Sequence, residues 1–177
     1  MTTNDEEFAT RLRRFRSHGI IRRPEVGEWF YDISEIGFNY RMTDIQAALG
    51  LSQMSRLDEF VTRRNEIAIG YREAFEALRV SLPPDAPQGF RHGYHLFPIR
   101  VDNRGEVFRL LRDRGIGVQV HYVPIHHHPI SAHMGLAIGD LPVCDSLYGG
   151  LLSLPVHPGL SELEQREVVS ALQACLA

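Results

Sequence analysis

Lysine is absent from this 177-residue chain; all 19 basic residues are arginine. No side-chain amine is therefore available to form an imine with a carbonyl compound, which removes a large class of covalent chemistry from the chain itself. Cysteine is scarce. Cys144 and Cys175 have apolar neighbours and no metal-binding spacing, so they read as packing residues in a reducing compartment rather than a disulfide framework. No apolar run approaches the ~20 residues that span a bilayer, and the start Thr2-Thr3-Asn4-Asp5-Glu6-Glu7 has neither a signal-peptide nor a transit-peptide pattern. A cytoplasmic location is the expectation. A net charge of −3 offers no electrostatic footprint for nucleic acid or an anionic membrane. The arginines at 11, 13, 14 and 16 are balanced by Asp5, Glu6 and Glu7, and read as a solvated helix face.

What is present is ordinary globular composition, 44% hydrophobic and 23% charged, enough to bury a core. Asp5–His18 reads as a helix with Phe8, Leu12 and Phe15 on one side, ended by Gly19. Residues 22–35, with Trp29, Phe30 and Tyr31, have no clear period and read as an aromatic surface loop. Those aromatics suit either a stacked base or a partner surface. Thr43 and Gln46 form a T-x-x-Q capping box at the head of a helix with small residues at Ala47, Ala48 and Gly50. Asp44 is then a first-turn residue favoured by the helix dipole, not a catalytic acid. A long helix follows from about Arg56 to Leu78, striped by Leu57, Phe60, Val61, Ala68, Tyr71, Ala74, Phe75 and Leu78.

Pro83-Pro84-Asp85-Ala86-Pro87-Gln88-Gly89 is the clearest linker composition. Beyond it, Tyr94–Val101 reads as a strand with Pro98 marking an edge or a bulge, Glu106–Arg114 as a helix, and 118–122 as a second strand. Pro142–Gly149 reads as a short helix, Leu152–Val156 as extended, and Ser161 with Glu164 as the box opening a last helix to Leu176. The expected division is a helical part, 1–80, and a small α+β domain, 81–177. The first part has no sheet of its own, so the chain reads as beginning within a domain.

Ile36-Gly37-Phe38-Asn39-Tyr40-Arg41 carries a turn and two strong donors into a helix start, an order that suits an anion. Taken alone, Asn39 reads as a turn or cap residue. The whole segment Ile36–Gly50, however, resembles the dimer-crossing motif of the DegT/StrS-type sugar aminotransferases. Similar landmarks follow in the same order. They are Thr3-Asn4-Asp5 with Arg16-Ser17-His18-Gly19-Ile20, Tyr94-His95-Leu96-Phe97-Pro98-Ile99, Arg114-Gly115-Ile116, His121-Tyr122-Val123-Pro124-Ile125-His126 and Ser153-Leu154-Pro155-Val156-His157. The resemblance implies an α/β fold, the C-terminal part of a fold type I transferase that depends on pyridoxal 5'-phosphate (PLP). The helical end of the large domain would come first, then a small α+β domain.

It further implies a homodimer in which Asn39 crosses to the PLP phosphate of the other subunit, with Arg41 beside it. Tyr40, His18, His121, Tyr122 and His126 are the implied lining of a nucleotide-sugar pocket. Asn39-Tyr40-Arg41-Met42 and Gln119-Val120-His121-Tyr122 most resemble the branch that aminates a UDP-linked 4-keto-6-deoxy sugar in pseudaminic acid biosynthesis, with glutamate as the expected donor. The Schiff-base lysine, the aspartate for the pyridine nitrogen and the ring-stacking aromatic would all lie outside this chain, so the chain by itself is expected to be inactive. A non-catalytic module that pairs with a lysine-bearing subunit is the alternative.

The tract His126-His127-His128 with His133 invites a third reading, a metal enzyme. Adjacent histidines point apart in a strand or loop, and carboxylates are absent from 114–139, so no metal site is expected.

Overall fold

Asp5 opens the first helix. In the computed structural model, which describes residues 1–176, its Oδ1 accepts the Phe8 N–H at 2.9 Å and α1 runs over Glu6–Phe15. Acidic Glu6 and Glu7 at its start and basic Arg13 and Arg14 at its end both favour the helix dipole. The helix stops at Phe15 and not at His18, because His18 (φ 62°) and Gly19 (φ 73°) are both left-handed and the Gly19 N–H returns to Arg14 O at 2.9 Å. A Cβ at Gly19 would lie 1.8 Å from Glu35 O, so glycine alone fits there.

Residues expected to be a loop form a hairpin instead. β1 (Ile20–Arg22) and β2 (Tyr31–Ile33) pair antiparallel, Ile20 opposite Ile33 and Arg22 opposite Tyr31. Strands of three residues are too short for alternation to show in the sequence. An ion pair of Arg23 with Asp32 at 2.9 Å helps close the far end. The capping box is present as expected: the Gln46 N–H donates to Thr43 Oγ1 at 3.3 Å, the Thr43 N–H to Gln46 Oε1 at 2.9 Å, and α2 follows over Asp44–Met54.

Two compact units result, Met1–Ser55 and Arg56–Ala177. The division falls ahead of the proline-rich stretch because α3 (Leu57–Phe75) contributes Ile67, Ala68, Tyr71 and Phe75 to the core of the second unit. At ~1.5 Å per residue α3 is about 28 Å long, shorter than the periodicity suggested, and Leu57 lies outside the buried stripe. The proline-rich stretch is tied back to this helix: Arg72 Nη2 donates to Pro83 O at 2.7 Å, and Arg72 pairs with Asp85 at 3.1 Å.

β3 (Phe97–Arg100), α4 (Arg104–Asp113), α5 (Pro142–Gly150), β4 (Leu151–Leu154) and α6 (Glu162–Leu176) complete the second unit. β3 pairs antiparallel with β4, Phe97 opposite Leu154 and Ile99 opposite Leu152. Pro98, which has no N–H to give, stands opposite Ser153, whose own N–H is taken by Gln119 O at 2.8 Å. The strand expected over 118–122 shrinks to that one bridge at Gln119. Val118 turns inward, but no neighbouring strand continues alongside and Tyr122 stays exposed. The strand-helix-strand expectation is thus corrected to an antiparallel pair made from distant segments. Tyr71, Phe75, Phe97, Ile99, Leu111, Leu152 and Leu172 form its packed centre, with Tyr71 5.5 Å from Phe75 and 5.2 Å from Phe97 between ring centroids. Ser161 and Glu164 cap α6 reciprocally, at 2.8 and 3.2 Å.

Candidate functional site

In the first unit, Gly37 lets two stretches of backbone meet. A Cβ there would lie 2.4 Å from Gly19 N and 2.8 Å from Phe15 O. With that space left open, the Phe38 N–H donates to Phe15 O (2.7 Å), the His18 N–H to Phe38 O (3.0 Å) and the Tyr40 N–H to Arg16 O (2.9 Å). Asn39 bridges Ser17 in the middle of this ladder. Phe38 stacks on Tyr40 with centroids 5.2 Å apart, and Phe15 meets Phe38 edge-on at 5.2 Å. His18, Asn39, Tyr40 and Arg41 are thereby brought to one exposed place on a backbone fixed from both sides.

Arg41 Nε donates to Asn39 Oδ1 at 3.1 Å. That bond engages the amide oxygen and leaves the Asn39 NH₂ and the remaining guanidinium N–H groups as donors beside one another. Arg41 makes no ion pair among the described residues. Such a donor set suits an oxyanion such as a phosphate group.

In the second unit, the His121 and Tyr122 rings meet edge-on at 4.8 Å. Tyr122 is exposed, whereas His121 Nδ1 is buried with no partner. His126, expected to line a pocket, is only 4% exposed. Its Nε2 lies 2.6 Å from Asp145 Oδ1, and His127 Nε2 reaches the same oxygen at 2.5 Å. The Gly139 N–H donates to Asp145 Oδ2 at 3.0 Å. Hydrogen bonds from His127 and His126 pull the Asp145 carboxyl down to about 2. The sequence pattern missed Asp145 because it lies on α5, beyond the carboxylate-free stretch. Its place in the first turn after Pro142 was the available signal.

The DegT/DnrJ/EryC1/StrS aminotransferase family matches residues 1–173. The chain belongs to this family. The GDP-perosamine synthase of Caulobacter vibrioides is 35% identical over 183 residues, covering 99% of this chain and 47% of that protein. The UDP-4-amino-4,6-dideoxy-N-acetyl-beta-L-altrosamine transaminase of Campylobacter jejuni is 31% identical over 186 residues, covering 99% and 47%. A DegT DnrJ EryC1 StrS aminotransferase of Brucella abortus, solved as a crystal structure, superposes with a TM-score of 0.85 at 35% identity, over 99% of this chain and 45% of that one. The fold is therefore the C-terminal part of a family member, and the chain spans about half the length of the curated relatives it matches. Among the described residues no helix is long and apolar enough to cross a membrane.

Proposed function

We propose that this chain is the C-terminal half of a PLP-dependent nucleotide-sugar aminotransferase, and that Asn39 and Arg41 hold the phosphate of PLP bound mainly by the other subunit of a homodimer. The observation that carries the reading is the donor pair itself, Asn39 and Arg41 joined through the bond from Arg41 Nε to Asn39 Oδ1. Bound PLP would supply the electron sink through which an amino group leaves an amino acid and reaches a keto sugar. The residues of this chain would bind and orient. The amide and guanidinium fix the phosphate, and His18 and Tyr40, exposed on the same unit, contact the sugar nucleotide. The lysine that anchors the cofactor comes from a lysine-bearing half, since this chain has none.

The exposure of α2 supports the dimer. Ile45, Leu49, Leu51 and Met54 are all more than 60% exposed, and a helix apolar on every side is normally a covered one. A UDP-linked 4-keto-6-deoxy sugar is the proposed acceptor, on the motifs shared with the pseudaminic acid branch, and glutamate the proposed donor. Relatives named for GDP- and UDP-sugars have similar identity to this chain, so both nucleotides belong in the assay. The test supplies PLP, glutamate and each 4-keto sugar nucleotide, first to the chain alone and then to the chain assembled with the lysine-bearing first half of a relative. Amino transfer by the assembly and none by the chain alone is expected; turnover by the chain alone would overturn the reading.

A further inference from the structure

His126, His127 and Asp145 are assembled more tightly than the proposed transfer reaction requires. Their ligating atoms all lie within 4.8 Å of one another. Neighbouring histidines diverge in a strand, but these two sit on a 3-10 turn, Ile125–His127, with rings nearly perpendicular (87°) and centroids 4.6 Å apart. Both Nε2 atoms converge on one carboxylate oxygen, which removes the geometric objection that the sequence raised.

The turn that carries the two histidines is fixed at its backbone, and Asp145 through its second oxygen. The His127 N–H donates to Pro124 O at 2.9 Å and the His128 N–H to Ile125 O at 2.9 Å. The buried Ser131 hydroxyl donates to Ile125 O. Asp145 is steadied through Oδ2 by Gly139 and stands on α5. The His126 side chain is 2% exposed, while those of His127 and Asp145 are 15% and 22% exposed, so the cluster meets solvent through His127 and Asp145.

We propose that His126 Nε2, His127 Nε2 and Asp145 Oδ1 form a binding site for a divalent cation of the zinc class. Two imidazoles and a carboxylate suit Zn(II) and Co(II) rather than Mg(II) or Ca(II), and three protein ligands leave a fourth position for water. In the metal-free arrangement the two ring N–H groups share the carboxylate oxygen. Metal takes their place: each Nε2 gives up its proton, to Nδ1 or to solvent, and donates its lone pair instead. Ligand atoms around a tetrahedral zinc with bonds near 2.0–2.1 Å lie about 3.3 Å apart, so the two contacts must open by about 0.7 Å. Rotation of the partly exposed His127 and Asp145 side chains provides that. The bound ion would clip the 125–134 segment to α5, independently of PLP.

The test uses the full chain, purified without a nickel column, stripped with chelator and titrated with Zn(II) and with Co(II). One equivalent of zinc retained through gel filtration, a rise in melting temperature with zinc, and an intense visible Co(II) band are expected. His127→Gln and Asp145→Asn should each weaken binding at least tenfold and abolish the thermal shift. His128→Gln and His133→Gln should leave both unchanged. His127→Gln keeps the His126–Asp145 pair, and so decides the matter if Asp145→Asn does not fold. No retained metal in the folded wild-type chain would overturn the proposal, as would equal losses in His128→Gln and His127→Gln, which would mean adventitious binding along the tract.

Discussion

Tyr71→Phe separates one hydrogen bond from the packing around it. Tyr71 is fully buried between Phe75 and Phe97, and its hydroxyl donates to Pro155 O at 2.9 Å. The substitution keeps the ring contacts and leaves a part-buried carbonyl without its donor, a cost of about 1–1.5 kcal/mol. For a chain of this length that corresponds to a fall in melting temperature of about 2–6 °C. Tyr71→Ala, which also opens a cavity, should cost about 3–5 kcal/mol. Urea denaturation followed by circular dichroism measures both.

A second arm varies pH. Burial pushes the Tyr71 hydroxyl well above its usual value, so the folded state favours the neutral phenol. Stability from this source is complete below the unfolded tyrosine value of about 10 and is lost as pH rises through the folded value. The gap between wild type and Tyr71→Phe should hold at pH 8 and narrow above pH 10. Equal stability at pH 8, or a gap that stays constant to pH 11, would mean that the buried hydroxyl and its bond to Pro155 O do not carry this stability.

The Glu164 carboxyl is held below its usual value by the side-chain and backbone hydrogen bonds of Ser161. Its contribution to α6 is present above the unfolded value of about 4.3 and fades as pH falls through the folded one. Glu164→Gln should remove that part of the acid slope in thermal melts recorded between pH 5 and 3. Gly37→Ala places a Cβ 2.4 Å from Gly19 N, which should disrupt the ladder from Phe15 to Tyr40. Faster amide exchange at His18, Phe38 and Tyr40, with the second unit's melting unchanged, is the expected result. Leu111→Ala removes a fully buried side chain and should cost about 2–5 kcal/mol in the same urea assay.

Features legible in the sequence were those decided by residues a few positions apart. The Thr43–Gln46 and Ser161–Glu164 boxes each need only a three-residue spacing, and both are present. Gly115, with φ 78°, ends α4 where the pattern placed it. The family landmarks, several ordered motifs across the chain, were legible for the same reason. What escaped depends on distant partners. β3 pairs with residues some fifty positions later rather than with 118–122, and α1 ends early because Glu35 and Gly37 pack against its exit. Asp145 gathers His126 and His127 only after α5 has packed beside their turn. No local pattern encodes that meeting.

The role of Asn39 and Arg41 in holding PLP is read from cofactor retention. This chain is assembled with the lysine-bearing first half of a relative, loaded with PLP and passed through gel filtration, and the cofactor is followed by its absorbance. A charge-assisted hydrogen bond to phosphate is worth about 1.5–3 kcal/mol, so Asn39→Ala and Arg41→Ala should each weaken retention about tenfold to a hundredfold. Retention that neither substitution alters would mean that Asn39 and Arg41 do not hold the phosphate.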